Sequence, residues 1–438
     1  MRSAFVIVLM LLGVVRSQGQ SSSGYGTQVP IFNNKPDSLA YAELDAKLNA
    51  IFRKAANDGN YNGIDSLFAA RRAFLDTHPF VLRTVYRQDP TFTPYQLLAK
   101  IVNKDSITKI SILGKGRRKL PDSLYMYKNL AELELIDFRL SRVPKKLAKR
   151  SSMKRLVINN NFPSRKLRLP KSSSITFLSI RGDEHGKLPK SYSKLRNLQV
   201  LQLSRNNLAE FPDLSGCDKL KRLDLNFNAL TRVSSSVSGC PNLTSLNLNN
   251  NKIDRVEPGI EKLKSLEELS LYKNDLKELP PVFYSMTSLR VVDLYYNHIP
   301  KVTADIANLK KLEILYLANN DIYSLPEQIG ELINLRELYL HHNKLSNLPP
   351  SVGNLISLNV LRINNNNMIE WPQGLQNLKA LTNLDCSSNQ FESLPISELD
   401  FRNMKILSIG GNPWDSKLKN NISLWAHSLR ENNTVVHE

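Results

Sequence analysis

Along residues 266–349, apolar and polar positions recur in one fixed order. The chain reads LEELSLYKNDLKELPPVFYSMTS, LRVVDLYYNHIPKVTADIANLKK, LEILYLANNDIYSLPEQIGELIN and LRELYLHHNKLSNLPP. Each unit opens L-x-x-L/V-x-L-x-x-N, and the next begins 23 residues later. The last two leucines of the opening alternate with polar residues, which predicts a short strand with one buried face. A second apolar pair follows, such as Ile322 and Leu325, then often Pro, as at Pro326, then I-x-x-L, as at Ile329 and Leu332. Each unit thus inserts about seven apolar side chains, at ~1.5–3 kcal/mol per side chain buried before entropy is subtracted. One such strand cannot shelter its face alone, whereas stacked neighbours can.

The same phase runs outward to 14 starts: Ile107, Leu130, Met153, Ile175, Leu198, Leu220, Leu243, Leu266, Leu289, Leu312, Leu335, Leu358, Leu381 and Met404. A fixed period of this length marks a stacked-repeat solenoid. The pattern resembles the leucine-rich repeat family over residues 107–414. The resemblance implies an α/β solenoid, a curved parallel sheet on the concave face, acting as a non-catalytic interaction module. The Asn closing each opening (Asn206, Asn228, Asn251, Asn274, Asn297, Asn320, Asn343, Asn366, Asn389) falls where the chain turns inward. Its carboxamide has both donors and an acceptor for the backbone of its own and adjacent units, which offsets the cost of burying it. The first four units depart from this pattern, carrying Lys115, Phe138, Asn161 and Asp183 at the Asn position. The Met153 unit is also expected to have a disordered middle.

Ahead of the repeats, Arg2, an apolar run from Ala4 to Val15 and a polar Arg16–Gln20 have the tripartite form of a secretory signal peptide, assigned to residues 1–19. That run is too short to span a bilayer comfortably. Residues 20–36 read as a flexible linker. Spacing then predicts helices over 37–57, 65–77 and 94–103, forming a helical N-terminal cap domain over 37–105 ahead of the solenoid at 106–414. A separate function for this segment, including an enzymatic one, is a distant alternative, because no catalytic motif is present in it.

Charge narrows the partners. Residues 100–171 hold 20 Lys and Arg against 5 Asp and Glu, a net of +15 out of +19 for the whole chain. Arg117, Arg118, Lys119, Lys145, Lys146, Lys149 and Arg150 lie largely outside the strands and are candidates for contact with an anionic polymer; the alternative is a solvated basic face. Nucleic acid fits poorly with export and with the lack of base-stacking aromatics between the charges. The main candidate surface is the concave sheet. Outward positions there carry Tyr272, Lys273, Asp293, Tyr295, Tyr296, Tyr316, Glu337, Tyr339, His341, His342 and Arg362. Tyrosine suits interfaces because it buries area with few rotors and keeps a hydroxyl. A protein partner is therefore expected, with a carbohydrate or envelope polymer stacked on the tyrosines as the alternative.

The three cysteines are too few for a disulfide framework. Cys217 and Cys240 share one phase and read as buried thiols, with a disulfide between stacked units as the alternative; Cys386 replaces a strand leucine. Arg181-Gly182-Asp183 spells an adhesion tripeptide, yet Asp183 falls at the inward position. No metal, cofactor or catalytic motif emerges. At the end, Gly411-Asn412-Pro413-Trp414 resembles the opening of the C-terminal cap of extracellular animal leucine-rich repeats, without that cap's cysteines. Trp414, Leu418, Ile422, Trp425 and Leu429 instead predict a packed helical cap over 415–438. The resemblance therefore implies an exported protein of bacterial type, periplasmic, at the cell surface or secreted.

Overall fold

The computed structural model describes residues 103–160, 167–169, 174–182, 188, 192–396, 399 and 403–438, together with the backbone of Thr27–Phe32 and Phe80–Val85. The chain forms two compact units, Met1–Phe92 and Thr93–Glu438. In the first unit, Thr27–Phe32 pairs antiparallel with Phe80–Val85. The first of these strands lies in the stretch read as a linker, so that reading does not hold for those six residues. The signal peptide and the three predicted helices fall outside the described residues.

The second unit is a repeat solenoid built on a parallel sheet of 15 strands. A strand begins two residues after each of the 14 starts, from Lys109–Leu113 to Ile406–Ser408. The four N-terminal strands are five residues long and the later ones three. Between strands the chain makes short 3-10 turns such as Glu327–Glu331, which follows Pro326. In the Leu312 unit, Leu312, Leu315, Leu317, Ile322, Leu325, Ile329 and Leu332 are all buried, as the pattern requires. Cys217, Cys240 and Cys386 are free and buried in the same core.

A column of asparagines ties each unit to the one before. Asn320 Nδ2 donates to the Leu294 carbonyl of the preceding unit at 2.9 Å and to its own Leu317 and Ala318 carbonyls at 3.0 and 3.2 Å. Its Oδ1 accepts from Ile299 N at 3.1 Å. Asn274, Asn297, Asn343 and Asn366 repeat this set. The residue just before the Asn takes a left-handed backbone in unit after unit, with φ between 52 and 59° from Arg205 to Ser388.

The pattern breaks at two places in ways the spacing did not predict. In the Met153 unit Asn160 is a buried amide, accepting from Phe138 N at 3.2 Å; Asn161, the position the spacing predicted, lies outside the described residues. Phe138 is itself core, and its ring occupies the space a side chain at Gly114 would need, 2.6 Å from that position. The middle of the Met153 unit also contributes Leu167 and Leu169 to the core, so it is not disordered at those positions. At the C-terminus, Asn412 continues the ladder by accepting from Asn389 N at 3.1 Å. Asp415 caps the helix Ser416–Glu431 by accepting from Leu418 N at 2.7 Å. Trp414, Ile422, Ala426 and Leu429 seal the core without disulfides. Val435–His437 then returns as a fifteenth parallel strand beside Ile406–Ser408.

Replacing Asn320 by Ala strands the Ile299 N–H in a dry interior, while the Leu294, Leu317 and Ala318 carbonyls each keep one donor, Asn297 Nδ2, Asn343 Nδ2 and Tyr296 N. With ~1–3 kcal/mol for a buried group left unpaired, the variant is expected to lose about 2 kcal/mol. Urea denaturation followed by circular dichroism measures this, and an unchanged midpoint would refute the ladder's energetic role.

Candidate partner-binding site

Outward side chains form columns across the sheet, two, four and six residues after each unit start. Strand register places Ser270, Asp293, Tyr316, Tyr339, Arg362 and Asp385 side by side in the middle column. The next column carries Tyr272, Tyr295, Ala318, His341 and Asn364. Because strands repeat every ~4.8 Å, rings on successive strands meet. Tyr295 stacks on Tyr316 at 5.5 Å between centroids, and Tyr316 on Tyr339 at 4.7 Å. Such pairs contribute about 0.5–1.5 kcal/mol each beyond burial. Tyr272 meets Tyr296 edge-on at 5.5 Å.

Ala318 closes the cluster. It is fully buried, and its small side chain lets Tyr295 and His341, two units apart, meet above it. The Tyr295 hydroxyl lies 3.1 Å from His341 Nε2, with the donor set by the imidazole tautomer. Burial, helped by Arg362 and His342, pulls the His341 pKa from 6.5 down to about 3, so the ring is neutral at physiological pH. Burial also holds the Tyr295, Tyr316 and Tyr339 phenols well above their ordinary value. The patch is therefore aromatic and hydroxyl-rich, with neutral donors.

The predicted residues divide into supports and exposed contacts. Asp293 and Tyr339 are 4% and 3% exposed, too enclosed to form the outer surface. Tyr339 is stacked on Tyr316, lies under the Arg362 guanidinium at 5.8 Å, and donates its hydroxyl to Glu337 at 2.8 Å. Asp293 accepts from Ser270 Oγ at 2.9 Å and from Tyr295 N at 3.2 Å. Lys273, Tyr296 and His342 are exposed and occupy the left-handed position before the ladder Asn, with φ of 54, 53 and 53°. Spacing alone missed Ala318, Ser270 and Asn249, whose Oδ1 accepts from Tyr272 N. Ala318 was detectable as the one small residue in its column between Tyr272 and His341.

Among the basic candidates, Arg117, Arg118, Lys119, Lys145, Lys146 and Lys149 are exposed. Arg150 serves the fold, donating at 2.6 Å to the carbonyls of Tyr127 and Tyr125 in the preceding unit. Lys146 Nζ sits 5.3 Å from the Tyr125 ring centre. Among the described residues, no group of three or more His, Cys, Asp or Glu is placed to hold a metal ion, and no helix is long and apolar enough to cross a membrane.

Burial moves the Asp293 carboxyl from 3.8 up to about 6, against the hydrogen bonds from Ser270 and Tyr295. The folded chain thus binds this proton more tightly than the unfolded chain does. The resulting stability is complete below about pH 4 and is lost as pH rises through 6. Asp293→Asn keeps the shape and an acceptor. It is expected to match wild type near pH 4 and exceed it by about 2–3 kcal/mol at pH 7.5. Urea midpoints at both pH values measure this; a pH-independent difference would contradict it. His341 shifts in the opposite sense in both proteins and cancels in the comparison.

Comparisons with known proteins agree on one architecture. Family profiles described as leucine-rich repeat region, leucine rich repeat, and leucine rich repeats in two copies match residues 281–432, 218–276 with 241–299, and 196–238. A stretch of 63 residues is 38% identical to the leucine-rich repeat-containing G-protein coupled receptor 5 of Rattus norvegicus; it is 14% of this chain and spans 7% of that receptor's length. A leucine-rich repeat protein of Leptospira interrogans is similar over 79% of this chain and 100% of its own, with 26% identity and a TM-score of 0.57. A plant peptide hormone receptor, RGFR1 in complex with RGF2, is similar over 70% of this chain and 47% of its own, with 25% identity and a TM-score of 0.53.

Proposed function

Because this chain belongs to the leucine-rich repeat family, we propose that it is an exported, non-catalytic binding protein that holds a partner protein on its concave sheet. The contact is centred on Tyr272, Tyr295, Tyr296, Tyr316 and His342, with Lys273, Glu337, His341 and Arg362 around it. Leucine-rich repeat proteins are typically interaction modules, and the similar plant receptor was solved with RGF2 bound. The observation that carries the proposal is Tyr296. Its ring is 45% exposed on a left-handed backbone, a conformation that bulky L-residues disfavour. Three other units use Asn250, Asn319 and Asn365 there, and Asn tolerates it well, while the adjacent Lys273 and the nearby His342 share the strained position. Backbone strain retained at an exposed ring is a pointer to function.

The carbohydrate reading is less favoured. Tyr295, Tyr316 and Tyr339 cover one another's faces, and the Tyr295 and Tyr339 hydroxyls are engaged with His341 and Glu337, so sugar stacking would fall to Tyr272 and Tyr296. An enzymatic role in the N-terminal segment would rest on residues outside those described.

Tyr296→Asn is expected to stabilise the fold by about 0.5–1 kcal/mol, as relief of a left-handed bulky residue, while weakening partner capture about tenfold or more. A pull-down with the tagged chain, repeated with Tyr296→Asn and Tyr272→Ala, tests this. Capture that survives both substitutions would reject the site, and binding on a glycan array lost in the same variants would favour sugar.

A further inference from the structure

The first three repeat units carry a second surface that the concave site does not use. From Phe138 to Gly182 there are 13 Lys and Arg and no Asp or Glu. Residues just past the inward turn bring basic side chains of successive units together. Arg139 N donates to the Arg117 carbonyl at 2.9 Å. Arg142 and Arg168 form a parallel bridge, flanked by bonds from Val143 N to the Arg168 carbonyl and from Arg168 N to the Ser141 carbonyl. All four arginines are exposed. Lys145, Lys146 and Lys149 follow on the short helical turn that leaves Val143. Like charges directly opposite on neighbouring strands repel, and neither Arg142 nor Arg168 forms an ion pair among the described residues. An anion lying between them would remove that repulsion.

We propose that this arginine edge binds a linear acidic polysaccharide, carrying sulfate or carboxylate groups, laid across the units. The basic residues succeed one another along the stacking direction, which suits a linear polyanion. Two aromatic rings nearby are already occupied by cations: Arg155 lies 3.4 Å from the centre of the Phe177 ring, and Lys146 covers Tyr125. The large apolar residues exposed among the described part of this region are Leu113 and Met126, both aliphatic. Among the described residues, nothing there offers a platform for stacking bases or a broad apolar face for a bilayer.

The test is retention of the full chain on immobilised heparin, with polyuronate as a second polymer. Wild type is expected to be held at about 0.15 M salt, where long-range charge effects are largely screened. The double variant Arg142→Ser with Arg168→Ser should bind about tenfold more weakly, with a shallower dependence on salt, since fewer counterions are released. A charge-matched control, Lys277→Ser with Lys301→Ser, should elute with wild type, as should Tyr296→Asn. Heparin should also shield Lys145, Lys146 and Lys149 of wild type from amine acylation, read by mass spectrometry, while leaving Lys277 and Lys301 reactive. This second readout holds even if the double variant folds poorly. Co-elution of the double variant with wild type, equal weakening in the control, or absence of shielding would overturn the proposal. So would tighter binding to phosphatidylglycerol vesicles or duplex DNA than to either polysaccharide at the same salt.

Discussion

A side-chain amide repeated once per unit from Asn206 to Asn412 is the constraint from which the rest of this structure follows. Asn has a short side chain with two donors and one oxygen, so a single residue can serve carbonyls in two units and one N–H besides. Glutamine is longer and would not hold the same turn, and a leucine would leave the N–H dry and unpaired and each carbonyl with one donor fewer. The ladder thus makes neighbouring units interdependent: each Asn is satisfied only when the preceding unit is folded beside it. Nearest-neighbour coupling of this kind is what gives stacked repeats their cooperativity.

The ladder also explains the character of the sheet face. Holding every turn at the same depth keeps strand register unbroken from Arg222–Asp224 to Ile406–Ser408. Outward residues then line up at the strand repeat, which is close to the thickness separating stacked aromatic rings. Tyrosines at successive units therefore pack face to face with no further device, and a single alanine, Ala318, sets where the stack folds over onto His341. Enclosure by those rings, rather than a nearby charge, dominates the shifts at Asp293 and His341. On the Ser270 side, protonation of Asp293 permits a reversed bond, carboxyl to Ser270 and Ser270 to Asn249, so either charge state has a hydrogen-bonded arrangement.

The repeat architecture was legible in the sequence because its signal is local and repeated: each of the 14 starts is followed by a strand. What escaped was what depends on contacts between units. The role of Asn160 is invisible to spacing, because Asn159, Asn160 and Asn161 are consecutive and only the contact with Phe138 N in the preceding unit singles it out. Asn412 was read as part of a cap motif although it also completes the ladder. The strand Val435–His437 is too short to show a period and forms because Ile406–Ser408 offers a free edge. At the site, the columns were predictable, but the burial of Asp293 and Tyr339 was not. Outward direction is a property of one strand, whereas enclosure depends on the size of residues on the strands either side.

The left-handed position before each ladder Asn separates what the fold asks for from what the surface adds. Folding is served by Asn250, Asn319, Asn365 or Gly411, all residues that accept that backbone readily. Arg205, Phe227, Lys273, Tyr296 and His342 occupy it too, and nothing in the turn requires their size. Arg205 and Phe227 compensate by packing, the guanidinium 4.3 Å from the ring centre. Tyr296 recovers part of the strain through Tyr272 and still leaves nearly half of its surface to solvent. The turn by itself favours asparagine here, so its own demands do not account for the exposed Tyr296 ring. The stacked rings of Tyr295, Tyr316 and Tyr339 lie beside this rim of the sheet and form the floor from which its side chains emerge.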